Sequence, residues 1–597
     1  MSILRSYAHL FTRYRLGYAF GMLVLLVTNA AYMAIPRVFG VAVDAFEVGA
    51  TRRQVLMYGA VIVALAAAQA VTRIASRIWV LGISRRVEYD LKELVHARLV
   101  RLAPSFYNVL STGDLMSRLT NDVMLVRAMG GPGVLYFANA VVLWVLGVGF
   151  MVTLSWQLTL VVVAPLPLMA WIIRGMAHRM RAYAVASRES LGKLNTTVQE
   201  NLAGAQVVRS FDLQEVQAHR FKERSQDYVD WALKESWTRA QMIPLVGLTG
   251  GLSYVGVLGL GAPLVAAGRL SLGDLVAFIS YVAMLAFPTV AFGWILSLLQ
   301  RGSAALERLD QILQAPETIA SPAEPEPLSA TGGISVRGLT FRYADAMAAY
   351  RGFGGEAMAI SQQARRAALL DVDLEVKAGE FVALVGRVGS GKSTLLRALL
   401  RLVEVPDDTV YVGDADINRL DLDELRSHMA YVPQDDFLFS TAVSSNIAFG
   451  DPSAGDEDVS AAAGRAGLDP ETSGLARGLE TEVGERGLNL SGGQRQRVAL
   501  ARALVTNAPI LVLDNALSNV DTETERLILA GLTEERKRRS VIVSSNRITA
   551  VQDADRIYVM DAGQVIEVGR HDELIARPGL YAAMHKQQQI SARLEQY

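Results

Sequence analysis

The 597-residue sequence contains no cysteine. That absence excludes a disulfide framework, a thiolate metal site and a cysteine nucleophile, and it fits a chain that faces a reducing interior. A surplus of either charge is also missing: 58 Lys and Arg stand against 59 Asp and Glu, a formal net charge of −1. No global field is available to gather a polyanion, so nucleic acid is not expected as a partner. With 51% hydrophobic residues and a mean hydropathy of +0.26, extended disorder is excluded as well.

Charge is absent above all in blocks. Residues 16–36, 54–72, 128–173, 240–268 and 275–300 carry no Asp, Glu, Lys or Arg. About 20 apolar residues span a bilayer, and the block 128–173 is long enough for two spans joined by a turn near Ser155. The expectation is six crossings, at about 16–36, 54–72, 133–153, 157–173, 243–267 and 275–299, within an all-α membrane domain over residues 1–314. Lys and Arg crowd the segments 73–127 and 174–239, against few in the alternate loops, Arg52, Arg53 and Arg269 among them, so the positive-inside rule places both termini in the cytoplasm. Leu4–Arg15 mixes apolar and basic residues as an interfacial helix does. Residues 73–127 and 174–239 are too long for simple loops and are expected to extend as helices beyond the bilayer, with a turn at Gly113 and a new helix start near Asp114.

Residues 315–331, rich in Pro, Ala and acidic residues, read as a linker. Beyond it, over residues 332–597, short apolar runs alternate with helical stretches, the pattern of an α/β domain. The strand-like run Phe381–Val385 enters Gly386-Arg-Val-Gly389-Ser390-Gly391-Lys392-Ser393, and a helical stretch from Thr394 follows. In that context the glycine-rich loop is a P-loop. Its N–H groups converge on phosphate oxygens, Lys392 reaches the terminal phosphates, and the Ser393 hydroxyl is placed for Mg²⁺. A second apolar strand ends in Asp514, an acid suited to hold Mg²⁺ opposite the P-loop. Between the two lies Leu490-Ser491-Gly492-Gly493-Gln494, whose small residues at a helix start offer another set of phosphate donors. One nucleotide needs only one such face, so the second is expected to serve a nucleotide held by another chain.

The order P-loop, Gln434, Leu490–Gln494 and Asp514 resembles the exporter half-transporters of the ATP-binding cassette (ABC) superfamily. The fold class this implies is multidomain: an all-α six-helix polytopic membrane domain followed by an α/β P-loop ATPase domain. The resemblance implies ATP and Mg²⁺ as cofactors and a location in the cytoplasmic membrane. It also implies adenine stacking on Tyr343, sensing of the γ-phosphate and Mg²⁺ by Gln434, a D-loop at Asp521, and contact of Thr481–Gly487 with the membrane domain. Two positions depart from the family pattern. Asn515 replaces the usual glutamate after Asp514, and Asn546 replaces the usual switch histidine. An amide takes up no proton at useful pH, and loss of general-base help costs about 10² to 10⁴ in rate. The expectation is a site that binds ATP and turns it over slowly, paired in a heterodimer with a second half-transporter that keeps its glutamate and histidine. The cargo class implied is an amphiphilic or hydrophobic drug, lipid or peptide. The alternative is a regulatory or gating membrane subunit that binds ATP without pumping. Residues 344–368 exceed the family spacing and are expected to form a surface insertion beside the adenine edge, with Tyr350 as the rival stacking residue.

Overall fold

The computed structural model of the protein describes residues 7–328, 333–350, 352–353, 366–468, 474–475, 477–484, 487, 489–516, 531, 535–536 and 538–594. The chain divides into two compact units. One comprises Met1–Val95 with Ser117–Asp310, the other His96–Met116 with Gln311–Tyr597.

The first unit is helical. A short helix α1 (Ala8–Thr12) precedes α2 (Arg15–Glu47), and α3 (Arg52–Arg101) runs 50 residues without a break. A helical run with π turns at Arg118–Asp122 and Met129–Gly133 leads into α5 (Val134–Leu154), which follows the short α4 (Pro104–Val109) of the second unit. Then come α6 (Trp156–Val163), α7 (Pro165–Ala203), α8 (Gln214–Ala266) and α9 (Leu272–Gln314). Among the described residues four helical runs, Arg15–Glu47, Arg52–Arg101, Thr112–Leu154 and Leu272–Gln314, are long and apolar enough to cross a membrane. Shorter apolar stretches, Trp156–Pro167 and Gly250–Ala266, fall on the fourth and fifth expected spans. Gly113 sits inside the first turn of helix Thr112–Ser117 and is not a break; the chain turns instead at Ala103 and Leu110, both extended. The second π turn coincides with Pro132, which has no N–H to give to an α-helical ladder.

Packing follows helical periodicity. Helix α2 buries Leu25, Asn29, Met33, Pro36 and Gly40, a stripe of the 3.6-residue period. Near its C-terminal end a Cβ on either Gly40 or Gly273 would overlap the other's carbonyl oxygen, so these two glycines let α2 and α9 touch backbone to backbone. Asp44 then takes the role of a cap for α9, accepting from the Ser271 hydroxyl at 2.7 Å and the Gly273 N–H at 2.6 Å. Arg37, which also lies outside the uncharged block, pairs with Asp274. Lower down, the Tyr281 hydroxyl donates to the Met33 carbonyl at 2.9 Å.

The second unit holds two sheets. Strands β1 (Ile334–Phe341), β2 (Leu369–Val376), β4 (Val410–Val412) and β5 (Ala415–Asp416) form an antiparallel sheet in the order β2-β1-β4-β5. Strands β3 (Phe381–Gly386), β6 (Met429–Val432), β7 (Ile510–Asp514), β8 (Ser540–Ser545), β9 (Arg556–Asp561) and β10 (Gln564–Gly569) form the other, ordered β10-β9-β3-β8-β7-β6. Only the edge pair β10 and β9 is antiparallel there. Strands β3, β7 and β8 are buried at every residue, as continuous apolar runs in a covered parallel sheet must be. Their carboxyl ends, Gly386, Asp514 and Ser545, lie side by side, which is where open α/β sheets place ligands.

The extra residues after Tyr343 form a helix, α10 (Tyr343–Ala348), and then Tyr350, which is fully buried. Tyr350 is therefore no surface aromatic. Its ring meets Phe106 of α4 edge-on at 5.4 Å, and its hydroxyl lies 3.1 Å from the Thr318 hydroxyl and 3.2 Å from the Pro316 carbonyl. Thr318 and Ser105 both donate to Glu404. Ala315 and Ile319 are buried in the same region, so the first residues of the proline-rich segment are pinned. Residue 351 and residues 354–365 of the insertion lie outside the described residues. Replacing Tyr350 by Ala removes a buried aromatic and is expected to cost about 3–5 kcal/mol, whereas Tyr350→Phe forfeits only the hydroxyl contacts, about 1 kcal/mol. Thermal unfolding of the purified chain should rank wild type above Phe and Phe far above Ala.

Candidate functional site

The cavity at the carboxyl ends of β3 and β7 is built around a buried acid. Asp514 has no exposed surface. Its Oδ1 accepts from the Ser393 hydroxyl at 2.9 Å and the Ser544 hydroxyl at 2.6 Å, and the Tyr431 hydroxyl lies 3.5 Å from Oδ2. Burial pushes the Tyr431 hydroxyl up to about 12, with Asp514 adding to the shift. The Gln434 Oε1 lies 3.5 Å from the Ser393 hydroxyl. Ser393, Gln434 and Asp514 thus converge as a set of oxygen donors with one carboxylate, which is the chemistry that suits Mg²⁺.

The loop between β3 and helix α11 (Lys392–Leu399) has the backbone a phosphate cradle requires. Gly391 adopts φ +103°, in the left-handed region, and a Cβ there would meet the Ala368 carbonyl at 2.7 Å. A Cβ on Gly386 would overlap the Met560 carbonyl oxygen. Lys392 is buried, with its ammonium donating to the carbonyls of Gly386 and Arg387 at 2.9 Å each and to the Ser390 hydroxyl at 3.3 Å. Burial lowers its pKa from the usual lysine value, and the Asp514 carboxylate opposes the shift. The ammonium is therefore held over the loop that a phosphate would occupy.

Of the residues singled out from sequence, Tyr343, Gly389, Ser390, Gly391, Lys392, Ser393, Thr394, Gln434, Asp514, Asn515 and Asn546 line one cavity of about 480 Å³. Gly386 stands behind it, at the end of β3. The Tyr343 hydroxyl lies 3.1 Å from that of Thr394, so its ring closes one side of the cavity. Tyr350 is absent from the lining. Asn515 has φ +53°, a left-handed conformation that asparagine tolerates better than most residues. Its N–H donates to Ser544, and its carbonyl accepts from Gln496 at 3.2 Å. The Asn546 carbonyl accepts from the Gln588 amide at 2.6 Å, while the Gln588 Oε1 accepts from Ile548 N–H at 2.9 Å. One glutamine of helix α13 (Leu580–Leu594) thereby brackets the segment that carries Asn546.

Ser491, Gly492, Gly493 and Gln494 do not join this cavity. They open helix α12 (Gly492–Leu504), where the Ser491 hydroxyl accepts from the Gln494 N–H at 3.2 Å and the Gln494 Oε1 accepts from the Ser491 N–H at 2.8 Å. This reciprocal capping box presents the first turn, with its N–H groups that have no preceding carbonyl, on an exposed face. The capped helix start and the cavity are thus separate places in the chain. Asp521 lies outside the described residues, as do Glu485 and Arg486 of the Thr481–Gly487 segment. Sequence reasoning missed Arg366, Ser544 and the Ala562–Gly563 turn, all part of the lining. Ser544 lies within β8 with no motif around it, and only its register beside Asp514 reveals it.

A cavity of this kind on a parallel sheet, in a chain with membrane-length helices, defines a membrane-bound P-loop nucleotide-binding protein. Comparison with known proteins is specific. The ABC transporter transmembrane region family matches residues 18–289, and the ABC transporter family matches residues 369–518. The probable multidrug resistance ABC transporter ATP-binding/permease protein YheI of Bacillus subtilis is 33% identical over 99% of this chain and 98% of its own. The multidrug resistance-like ATP-binding protein MdlA of Escherichia coli is 34% identical over 96% of this chain and 95% of its own. A solved bacterial Atm1-family ABC exporter with ATP bound superposes with a TM-score of 0.77 at 26% identity, over 96% of this chain and 98% of that one. The chain belongs to the ABC transporter family, as an exporter half-transporter with a helical membrane domain fused to one nucleotide-binding domain.

Close to the site, Asp436 is set apart by its environment. Its Oδ1 is buried without a hydrogen-bond partner among the described residues, and burial pushes its carboxyl up to about 6, against the lowering effect of Arg495. A carboxyl raised in the folded state binds protons more tightly there than in the unfolded chain, so stability is lost as pH rises from about 4 through about 6. Asp436→Asn should therefore unfold at a higher temperature than wild type at pH 8, with the difference shrinking at pH 5. Equal differences at both pH values in a thermal scan would refute this.

Proposed function

We propose that the chain is one subunit of an ATP-driven exporter that moves an amphiphilic or hydrophobic substrate across the cytoplasmic membrane. In this reading it crosses the bilayer six times and keeps both termini in the cytoplasm. Relatives named for multidrug resistance and for lipid A-core flipping, the latter including one of Methylobacillus flagellatus at 33% identity, support that cargo class. Within the nucleotide cavity Tyr343 packs the base, and Gly389, Ser390, Gly391, Lys392 and Thr394 hold the phosphates. Ser393, Gln434 and Asp514 hold Mg²⁺, which supplies charge neutralisation at the transferred phosphoryl group.

One observation carries the finer reading. Among the described lining residues Asp514 is the sole acid and there is no histidine, and Asp514 is already engaged by two serine hydroxyls. No lining group is left to take the proton of an attacking water, and Asn515 and Asn546 stand where the family pattern has glutamate and histidine. The site is thus read as one that binds Mg-ATP and hydrolyses it poorly. The separate face at Ser491–Gln494 is read as completing the catalytic site of a second half-transporter, in a heterodimer. A homodimer would combine two slow sites.

Three measurements test this. Lys392→Ala should abolish Mg-ATP binding by the purified chain, because it deletes the phosphate countercharge. Asn515→Glu combined with Asn546→His should raise ATP turnover of the chain alone by about 10², the lower end of general-base contributions; an unchanged rate would sink the slow-site reading. When the chain is co-expressed with a half-transporter that keeps both residues, Ser491→Arg should remove most of the assembled activity, since a bulky cation displaces preorganised donors. ATP binding without turnover in every such pairing would favour the regulatory alternative.

A further inference from the structure

Residues 546–548 follow β8 without continuing it, and two side chains hold them. One is local: the Ser545 hydroxyl accepts from the Arg547 N–H at 2.9 Å and donates to the Arg547 carbonyl at 3.1 Å. The other arrives from the far end of the domain. Gln588 of α13 donates through Nε2 to the Asn546 carbonyl at 2.6 Å and accepts at Oε1 from the Ile548 N–H at 2.9 Å. Together these two bonds fix the orientation of the amide, since exchanging its oxygen and nitrogen would set donor against donor and acceptor against acceptor. The glutamine amide thus takes the place of a backbone partner for a segment that has left the sheet.

The Asn546 side chain is held less firmly than its backbone. It lines the nucleotide cavity, and its Oδ1 is buried without a hydrogen-bond partner among the described residues. Where this amide points is therefore decided by the backbone that carries it, and that backbone is set by Ser545 and Gln588. Gln588 in turn sits on a helix whose beginning is anchored. Two helical turns earlier Tyr581 is fully buried in the core of the nucleotide domain, with its hydroxyl 2.8 Å from His571 Nδ1. Residues two turns apart share a helix face, so the face of α13 that packs on the domain is also the one that reaches the switch segment.

We propose that Gln588 is a positioning residue for the terminal phosphate: by holding the Asn546 carbonyl it aims the Asn546 side chain into the cavity, so that docking of α13 sets the preference for ATP over ADP. The proposal rests on the reading that places Asn546 at the γ-phosphate. Among the described residues the Gln588 side chain bonds to residues 546 and 548 alone and touches neither Tyr343 nor the P-loop. ADP needs only those groups, whereas ATP adds the one phosphate that a misaimed amide no longer meets. The effect of losing Gln588 is for that reason confined to the triphosphate.

Mg-ATP and Mg-ADP affinities of the full-length chain in nanodiscs test this. Gln588→Glu keeps the size and the acceptor for the Ile548 N–H but sets a carboxylate oxygen against the Asn546 carbonyl. It should weaken ATP about tenfold, the scale of a hydrogen bond to a charged group, and leave ADP within about twofold. Gln588→Met, which keeps the length without either bond, should do the same, and Gln587→Glu, the same change at an exposed neighbour, should alter neither nucleotide. At a pH low enough to protonate the new carboxyl, Gln588→Glu should regain the ATP preference, because the acid again offers one donor and one acceptor, while Gln588→Met should not. Retained ADP binding reports a folded chain. Equal losses of ATP and ADP affinity would mark a merely structural role and overturn the proposal, and so would ATP affinity unchanged in both Gln588 variants. Asn546→Ala tests the reading beneath it. If that variant keeps the ATP preference, Asn546 is not at the γ-phosphate and the proposal falls with the reading; if it loses the preference while the Gln588 variants keep it, the positioning role alone is refuted.

Discussion

A carboxylate sealed from solvent must be satisfied by its neighbours, and in this chain that requirement organises the nucleotide domain. Asp514 ends a strand with no exposed residue, and its partners come from three other elements: Ser393 from the P-loop helix, Ser544 from β8 and Tyr431 from β6. Each contact fixes a backbone segment. Ser393 brings the start of α11 against β7, and Ser544 also receives the Asn515 N–H, which fixes the left-handed turn just beyond the strand. The cavity is preorganised because its walls share one acceptor.

The same economy explains how the asparagines sit without distortion. Position 515 needs positive φ, and asparagine pays little for it. The segment carrying Asn546 is held through its backbone by Gln588, a contact that does not depend on the side chain at 546. Chemistry at both positions can therefore change while the surrounding scaffold stays in place. In the proposed reading nucleotide binding and nucleotide hydrolysis are separable properties, the first assigned to the P-loop and Asp514 and the second to groups at the two asparagine positions.

In the membrane unit the constraint is different, because packing is close where residues are small and polar groups pair where they are buried. Gly40 and Gly273 let two helices meet at their backbones, and Asp44 caps the helix start beside them.

Much of this was legible in the residues. The P-loop announces itself because strand, glycines, Lys392 and helix are contiguous, so local geometry suffices to imply the phosphate cradle. The apolar blocks declare membrane helices through length alone, and Ser491–Gln494 declares a capped helix start through its own side chains. What sequence could not reveal were relations between residues far apart in the chain. Ser544 reaches Asp514 only through parallel register, Gln588 reaches Asn546 only through the docking of the last helix, and Tyr350 is buried only because Phe106 and Thr318 arrive beside it. Arg73 and Arg77 open a basic segment whose helical extension was legible, but only the packing of α2, α5 and α9 against α3 shows that both line one cavity. Short-range motifs encode chemistry in the order of residues, whereas burial and facing depend on which segments pack together, and that is set by the tertiary fold.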